Sequence, residues 1–256
     1  MNLGLGLGLG FSAGTPGNPF PTIANLKLRL ESDLGVTTSS GNVTQWEDQA
    51  QPIAPFVGSG SLGAHPPALI ANQVNGHPAV RFDGVAKTME SDSLLSDLLT
   101  GAHPSTFKVI AVLKNNSAIA HAGQSYNEPA VICDAASFWS PMSGDSTRID
   151  SGFYQGPDHE VSIVQATGAL VYAEATLTTA AGGTLSLQIG TAGTPTSTTG
   201  VGTIGGVAGF LKLGRNNDNT VFWAGDLFAL FVATSMTTGE IADLKTYINN
   251  KWGPGL

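Results

Sequence analysis

Glu31 and Asp33 are the first residues in this sequence whose types and spacing could do chemistry. Glycoside hydrolysis needs paired carboxylates flanking one sugar bond, and Glu31-Ser32-Asp33 begins a strand pattern that would bring such acids to one surface. The pattern stops there, because the positions for the next carboxylate hold Leu34, Gly35 and Val36, and other acids are scattered singly. Gly200-Val201-Gly202-Thr203-Ile204-Gly205 has the spacing of a dinucleotide loop. That motif works only between a strand and a helix whose N-terminus meets the pyrophosphate. The residues after it read as a strand, so a glycine-rich turn is expected. The five histidines (His65, His77, His103, His121 and His159) are dispersed and three precede proline, which suits turns better than a zinc ligand set. Gly58-Ser59-Gly60-Ser61 has the wrong order for a nucleophile elbow. No catalytic residue is assigned, and the chain is read as non-enzymatic.

Calcium has candidate oxygens in Arg215-Asn216-Asn217-Asp218-Asn219 and in Asp145 with Asp150. Asn and Asp in turns commonly bond their own backbone, so no metal or cofactor is expected, with calcium kept as the alternative. Recognition character concentrates in Ser137 to Glu160, where Phe138, Trp139, Phe153 and Tyr154 are interleaved with Asp145, Arg148, Asp150, Asp158 and His159. Aromatic faces cover the C–H side of a sugar ring while polar groups take its hydroxyls. Trp139, Tyr154, Asp145, Arg148 and Asp150 are therefore the candidate glycan contacts. The competing reading makes Trp139 and Phe153 core residues. Trp46, Trp223 and Trp252 are expected to pack.

The elements that must position these residues are strands. Leu26, Leu28 and Leu30 alternate with Lys27, Arg29 and Glu31, which places three leucines on one sheet face. Further strands are expected at 43–46, 79–82, 107–113, 131–133, 161–164, 170–175, 184–189, 210–213 and 227–232. The last is apolar throughout and should be covered on both sides. Gly, Pro, Ser and Thr clusters at 50–67, 140–158 and 191–209 each read as a loop or a strand-poor excursion. Leu94, Leu95, Leu98 and Leu99 recur at helical spacing, so Ser93 to Leu99 reads as one or two helical turns. The clearest helix starts at Thr237, with Glu240 completing a capping box and Met236 facing Ile241 as a staple. Its expected buried stripe is Ile241, Leu244 and Ile248, and Gly253-Pro254 ends it.

The opening residues, Met1 to Phe11, alternate leucine with glycine, and Pro16, Pro19 and Pro21 follow. Glycine is costly to order without a partner, so residues 1–21 read as an arm and linker and 22–256 as one domain. The arm either frays or adds as a strand to a neighbouring subunit, with Leu3, Leu5, Leu7, Leu9 and Phe11 as docking residues. Composition agrees with a single β domain: 41% apolar residues, 12% charged, 33 Gly and 14 Pro in 256 residues. A net charge of −8, from 11 basic and 19 acidic residues, argues against nucleic acid and anionic membranes. Lone Cys133 excludes an intrachain disulfide and reads as a small core residue. No run suffices to span a bilayer and no basic leader opens the chain, so a soluble protein outside the Sec route is expected.

The succession of LKLRLESDLG (26–35), GNVTQWEDQ (41–49), NGHPAVRFDG (75–84), the strand near 109–113, LKLGR (211–215) and the closing 223–232 strand with its capped helix resembles laminin-G-like and concanavalin-like jelly rolls of bacteriophage and bacterial surface proteins. The resemblance covers nearly all of the chain after residue 22. It implies an all-β jelly-roll sandwich with one C-terminal helix and an extended N-terminal arm. The Leu-Gly opening is similar to that of short phage structural proteins. This implies a non-enzymatic virion protein, a head decoration or tail surface subunit made in the host cytoplasm, whose partners are other virion proteins and further copies of itself. A host-glycan receptor-binding module is the alternative, and a polysaccharide-degrading enzyme ranks third. Fold alone does not choose among them.

Overall fold

The computed structural model describes residues 19–51, 55–58, 65–94, 106–116, 129–133, 138–144, 147–154, 159–178, 182–201, 209–216 and 221–253. The proposed arm residues Leu3, Leu5, Leu7, Leu9 and Phe11 lie outside them, as does Asp145. The described chain is all-β with one C-terminal helix, a jelly-roll sandwich as expected. Its strands are β1 (Leu26–Glu31), β2 (Val36–Ser39), β3 (Asn42–Trp46), β4 (Phe56–Val57), β5 (Ala68–Val74), β6 (His77–Asp83), β7 (Met89–Leu94), β8 (Thr106–Asn115) and β9 (Pro129–Cys133). They continue as β10 (Phe138–Gly144), β11 (Arg148–Tyr154), β12 (His159–Val164), β13 (Leu170–Thr178), β14 (Gly183–Ile189), β15 (Thr196–Val201), β16 (Phe210–Leu213) and β17 (Ala224–Ala233).

The pairings, all antiparallel, form two layers. In the first, β17 pairs β8 on one edge and shares its other edge between β6 and β1. That layer runs on through β13 and β14 to β15, and β5 extends it beside β6. The second layer runs β2-β3-β4-β7-β16-β9-β10-β11-β12. One bridge, Asn42 to Ala68, joins the layers.

Strand alternation divides the core. On β8, Phe107, Val109, Ala111 and Leu113 face the space between the sheets, while Ile110 and Val112 face the helix side. β17 is apolar because both faces are covered, as its sequence implied. A shift between Leu227 and Ala229 puts Phe228 and Ala229 together on the helix side. A similar irregularity between Leu26 and Leu28 corrects the expectation of three leucines on one face. Leu28 and Leu30 enter the inter-sheet core, whereas Leu26 packs with the helix cluster, because an extra residue reverses the phase of the strand. Trp46 and Trp223 are buried between the sheets and Trp252 under the helix.

The helix, α1 (Thr238–Trp252), is capped by Thr237, whose hydroxyl accepts from the Glu240 backbone while the Glu240 carboxylate accepts from the Thr237 backbone. Its buried stripe differs from the expected one: Leu244, Tyr247, Ile248 and Trp252 are buried and Ile241 only half so. The amphipathic Tyr247 can bury its ring because its hydroxyl finds the carboxylate of Glu31.

The three segments expected to be loops or strand-poor excursions contain strands. β4 lies in 50–67, β15 in 191–209, and β11 with part of β10 in 140–158. β15 (TSTTGV) is a mostly exposed edge strand, so β-branched threonine supports it without an apolar pattern. In β11 the buried Ser151 interrupts the apolar alternation of Ile149 and Phe153. Ser93 and Leu94, expected to open a helical turn, instead end β7; residues 95–99 lie outside the described set.

Candidate functional site

The first layer's outer face is sealed by α1 and the segment entering the domain, where Phe20 stacks on Phe231 at 5.7 Å and meets Tyr247 edge-on at 5.1 Å. The carboxylate pair singled out in the sequence lies here. Glu31 is fully buried and accepts hydrogen bonds from Arg29, Tyr247 and Lys251. Asp33 accepts from Lys251 at 2.8 Å and lies 2.9 Å from His77 Nδ1. Burial pushes the Asp33 carboxyl up, but the Lys251 hydrogen bond and the Lys251 and His77 charges outweigh it and hold it below the ordinary value. Burial followed by the Glu31 hydrogen bond raises the Tyr247 hydroxyl to about 12. A second group joins Lys108 and Tyr172 to Glu174, with Lys245 at 3.6 Å. Both acids are consumed by structural pairing, which fastens β1 and β13 to the helix side.

The second layer's outer face is built differently. On β16, Leu211 and Leu213 point into the core, so Lys212 takes the opposite face; on β7, Met89 is core and Glu90, register partner of Lys212, lies outside. Gly214 then turns the chain at φ +78, and a Cβ there would stand 2.3 Å from the Phe82 ring. The turn delivers Arg215 onto the Glu90 carboxylate. Asn216, one of the calcium candidates, instead ties its own hairpin by accepting from the Val221 backbone at 3.2 Å. Asn217, Asp218 and Asn219 lie outside the described residues. Among the described residues no group of three or more His, Cys, Asp or Glu could hold a metal ion.

On β11, Ile149 is core and Arg148 and Asp150 occupy the outer side; on β12, Val161 and Ile163 pack inward, leaving Glu160, Ser162 and Val164 outside. Arg148 Nε lies 3.3 Å from Asp150 Oδ2, and Nη2 lies 3.8 Å from Glu160 Oε1. Ser162 donates to the same Glu160 oxygen at 2.9 Å. Beside them Val164, register partner of Arg148, is 86% exposed.

Of the sequence candidates, Arg148 and Asp150 are brought together and Tyr154 falls in phase with them. Trp139 falls in the other phase: it pairs with Phe153, in step with Ile149, and with Cys133, itself opposite the core residue Leu211. For Trp139 and Tyr154 the register alone is described. Sequence reading overlooked Glu160, Val164, Glu90, Lys212 and Arg215 as members of this face. A lysine flanked by two leucines in Leu211-Lys212-Leu213 signals an outward position on a strand, and the alternation of Glu160, Ser162 and Val164 carries the same signal.

No family model and no curated protein sequence matches this chain. Solved structures do. The chain is similar to the botulinum neurotoxin type G receptor-binding domain, at TM-score 0.57 and 12% identity over 90% of this chain and 54% of that one. It is also similar to Trypanosoma rangeli sialidase, at TM-score 0.58 and 12% identity over 92% of this chain and 34% of that one. The binding domain of Paraclostridial Mosquitocidal Protein 1 gives TM-score 0.54 and 10% identity over 87% and 52%. The chain therefore spans a third to about half of these proteins, and identities this low establish the shared β-sandwich fold alone.

Proposed function

We propose that this chain is a non-enzymatic glycan-binding module, and that its N-terminal arm anchors it to a bacteriophage particle. The observation that carries the glycan reading is the outer face of β11 and β12, where Arg148, Asp150, Glu160 and Ser162 lie beside exposed Val164. Donors and acceptors fixed on a rigid sheet take the hydroxyls of a sugar, and an exposed apolar side chain takes its C–H surface. Among the structural neighbours are botulinum neurotoxin receptor-binding domains and a sialidase in complex with sialic acid; a binding role suits the same sandwich here.

The anchoring reading is favoured by the face on which residues 20–23 enter the domain. Phe20 and Ile23 pack on the helix-covered face, opposite the charged face, so attachment through residues 1–18 leaves the binding face outward. The arm's alternating leucines then dock on the particle or on a sister copy.

A glycan array probed with the intact chain tests the first reading. R148Q is expected to lose at least tenfold in affinity, about 1.4 kcal/mol, and also to lower the melting temperature, because it leaves the buried Asp150 carboxylate without its cation. V164D, at an exposed position, is expected to lose affinity with the melting temperature unchanged. Binding by R148Q equal to that of the parent, or no binding by the parent, refutes the site. Release of sugars from a bound polysaccharide would refute the non-enzymatic reading. For the second, deleting residues 1–15 is expected to abolish incorporation into particles while leaving the domain folded; normal incorporation contradicts it.

A further inference from the structure

We infer that the ligand of the β11–β12 face is a neutral glycan, and that the face discriminates against sugars bearing a carboxylate, sulfate or phosphate. The inference rests on the glycan reading above and names its substrate class. Capturing an anionic sugar takes a cation whose charge is not already matched, best of all an arginine presenting its fork to the ligand. Here the fork is committed. Arg148 lies between Asp150 and Glu160, so the trio carries one positive and two negative charges. Asp150 is almost fully buried against Arg148 whereas Glu160 is partly exposed, so the carboxylate a ligand meets first is negative and already hydrogen-bonded by Ser162.

The stretch of sequence that holds β11 and β12 is acidic, and Arg215 on the neighbouring strands is matched by Glu90. Between Lys114 and Lys212 the chain has a single lysine or arginine, Arg148 itself, against seven acidic residues, Glu128, Asp134, Asp145, Asp150, Asp158, Glu160 and Glu174. This stretch contributes −6 (1 − 7) of the chain's −8. At physiological ionic strength charges farther than about 8 Å are largely screened, so the trio sets the selectivity. Sugar hydroxyls meet no such penalty: they donate to the partly exposed Glu160 carboxylate and to the exposed Ser162 hydroxyl, and leave a ring face for Val164.

The test compares matched glycans on one array, each neutral chain beside the same chain with a terminal sialic acid or sulfate. The intact protein is expected to bind the neutral member at least tenfold more tightly. E160K, at a partly exposed position, gives the trio a net positive charge and is expected to narrow or reverse the preference while its melting temperature confirms folding. E160Q gives an intermediate ratio. Equal or tighter binding of the anionic member by the unaltered chain overturns the inference and leaves the glycan reading intact, as does a preference that E160K fails to move. Failure to bind any glycan overturns both.

Discussion

The sandwich has two outer faces, and they use charge for different purposes. On the helix-covered face Glu31 is enclosed by Arg29, Tyr247 and Lys251, and Glu174 by Lys108 and Tyr172, with Phe20, Phe231 and Tyr247 filling the space between. Trp252 Nε1 and Asn249 Oδ1 are buried there without a hydrogen-bond partner among the described residues. On the opposite face Arg148 and Glu160 are partly exposed beside a bare Val164, with Asp150 buried beneath them. A buried charge must be paired to be tolerated and then chiefly fixes one arrangement of elements. A paired charge at a rigid, open surface remains able to exchange hydrogen bonds with a ligand. The acids closest to a hydrolase pattern in sequence fall in the first class, while the residues suited to recognition fall in the second.

The contrast can be broken by substitutions on the covered face, which should alter stability and leave glycan affinity untouched. F231A removes a buried ring from beneath Phe20 and α1 and is expected to cost about 4 kcal/mol in denaturant unfolding. E31Q leaves Arg29 and Lys251 without their shared carboxylate. A loss of about 3 kcal/mol is expected, at the lower end for a buried pair because Lys251 keeps Asp33. T237A removes the helix cap and should cost about 1 kcal/mol. If any of these shifts glycan affinity as much as R148Q does, the two faces are coupled and the division of labour fails.

Much of the fold was legible in the sequence because burial writes periodicity. All ten strand segments inferred from apolar patterning carry strands, and Thr237 with Glu240 marked the start of α1. The strands that were overlooked are short, polar or irregular: β2 (VTTS) lies on a sheet edge, and β5 contains Asn72 at φ 51. Edge strands need no apolar face, and a residue in the left-handed region breaks the alternation that would reveal them. The candidate site was half legible. Arg148 and Asp150 stood out as charges among aromatics, but Glu160 and Val164 reach them only through the β11–β12 register, which no local spacing encodes. Trp139 drew attention by type, and the register pairs it with Cys133 and Phe153.

Backbone amide shift mapping of the intact chain during titration with a neutral glycan selected on the array would test the division between faces most directly. Perturbations clustered at Arg148, Asp150, Glu160, Ser162 and Val164, with α1 and β1 silent, are the expected result. Shifts concentrated on α1 or around Glu31 and Asp33 would contradict it.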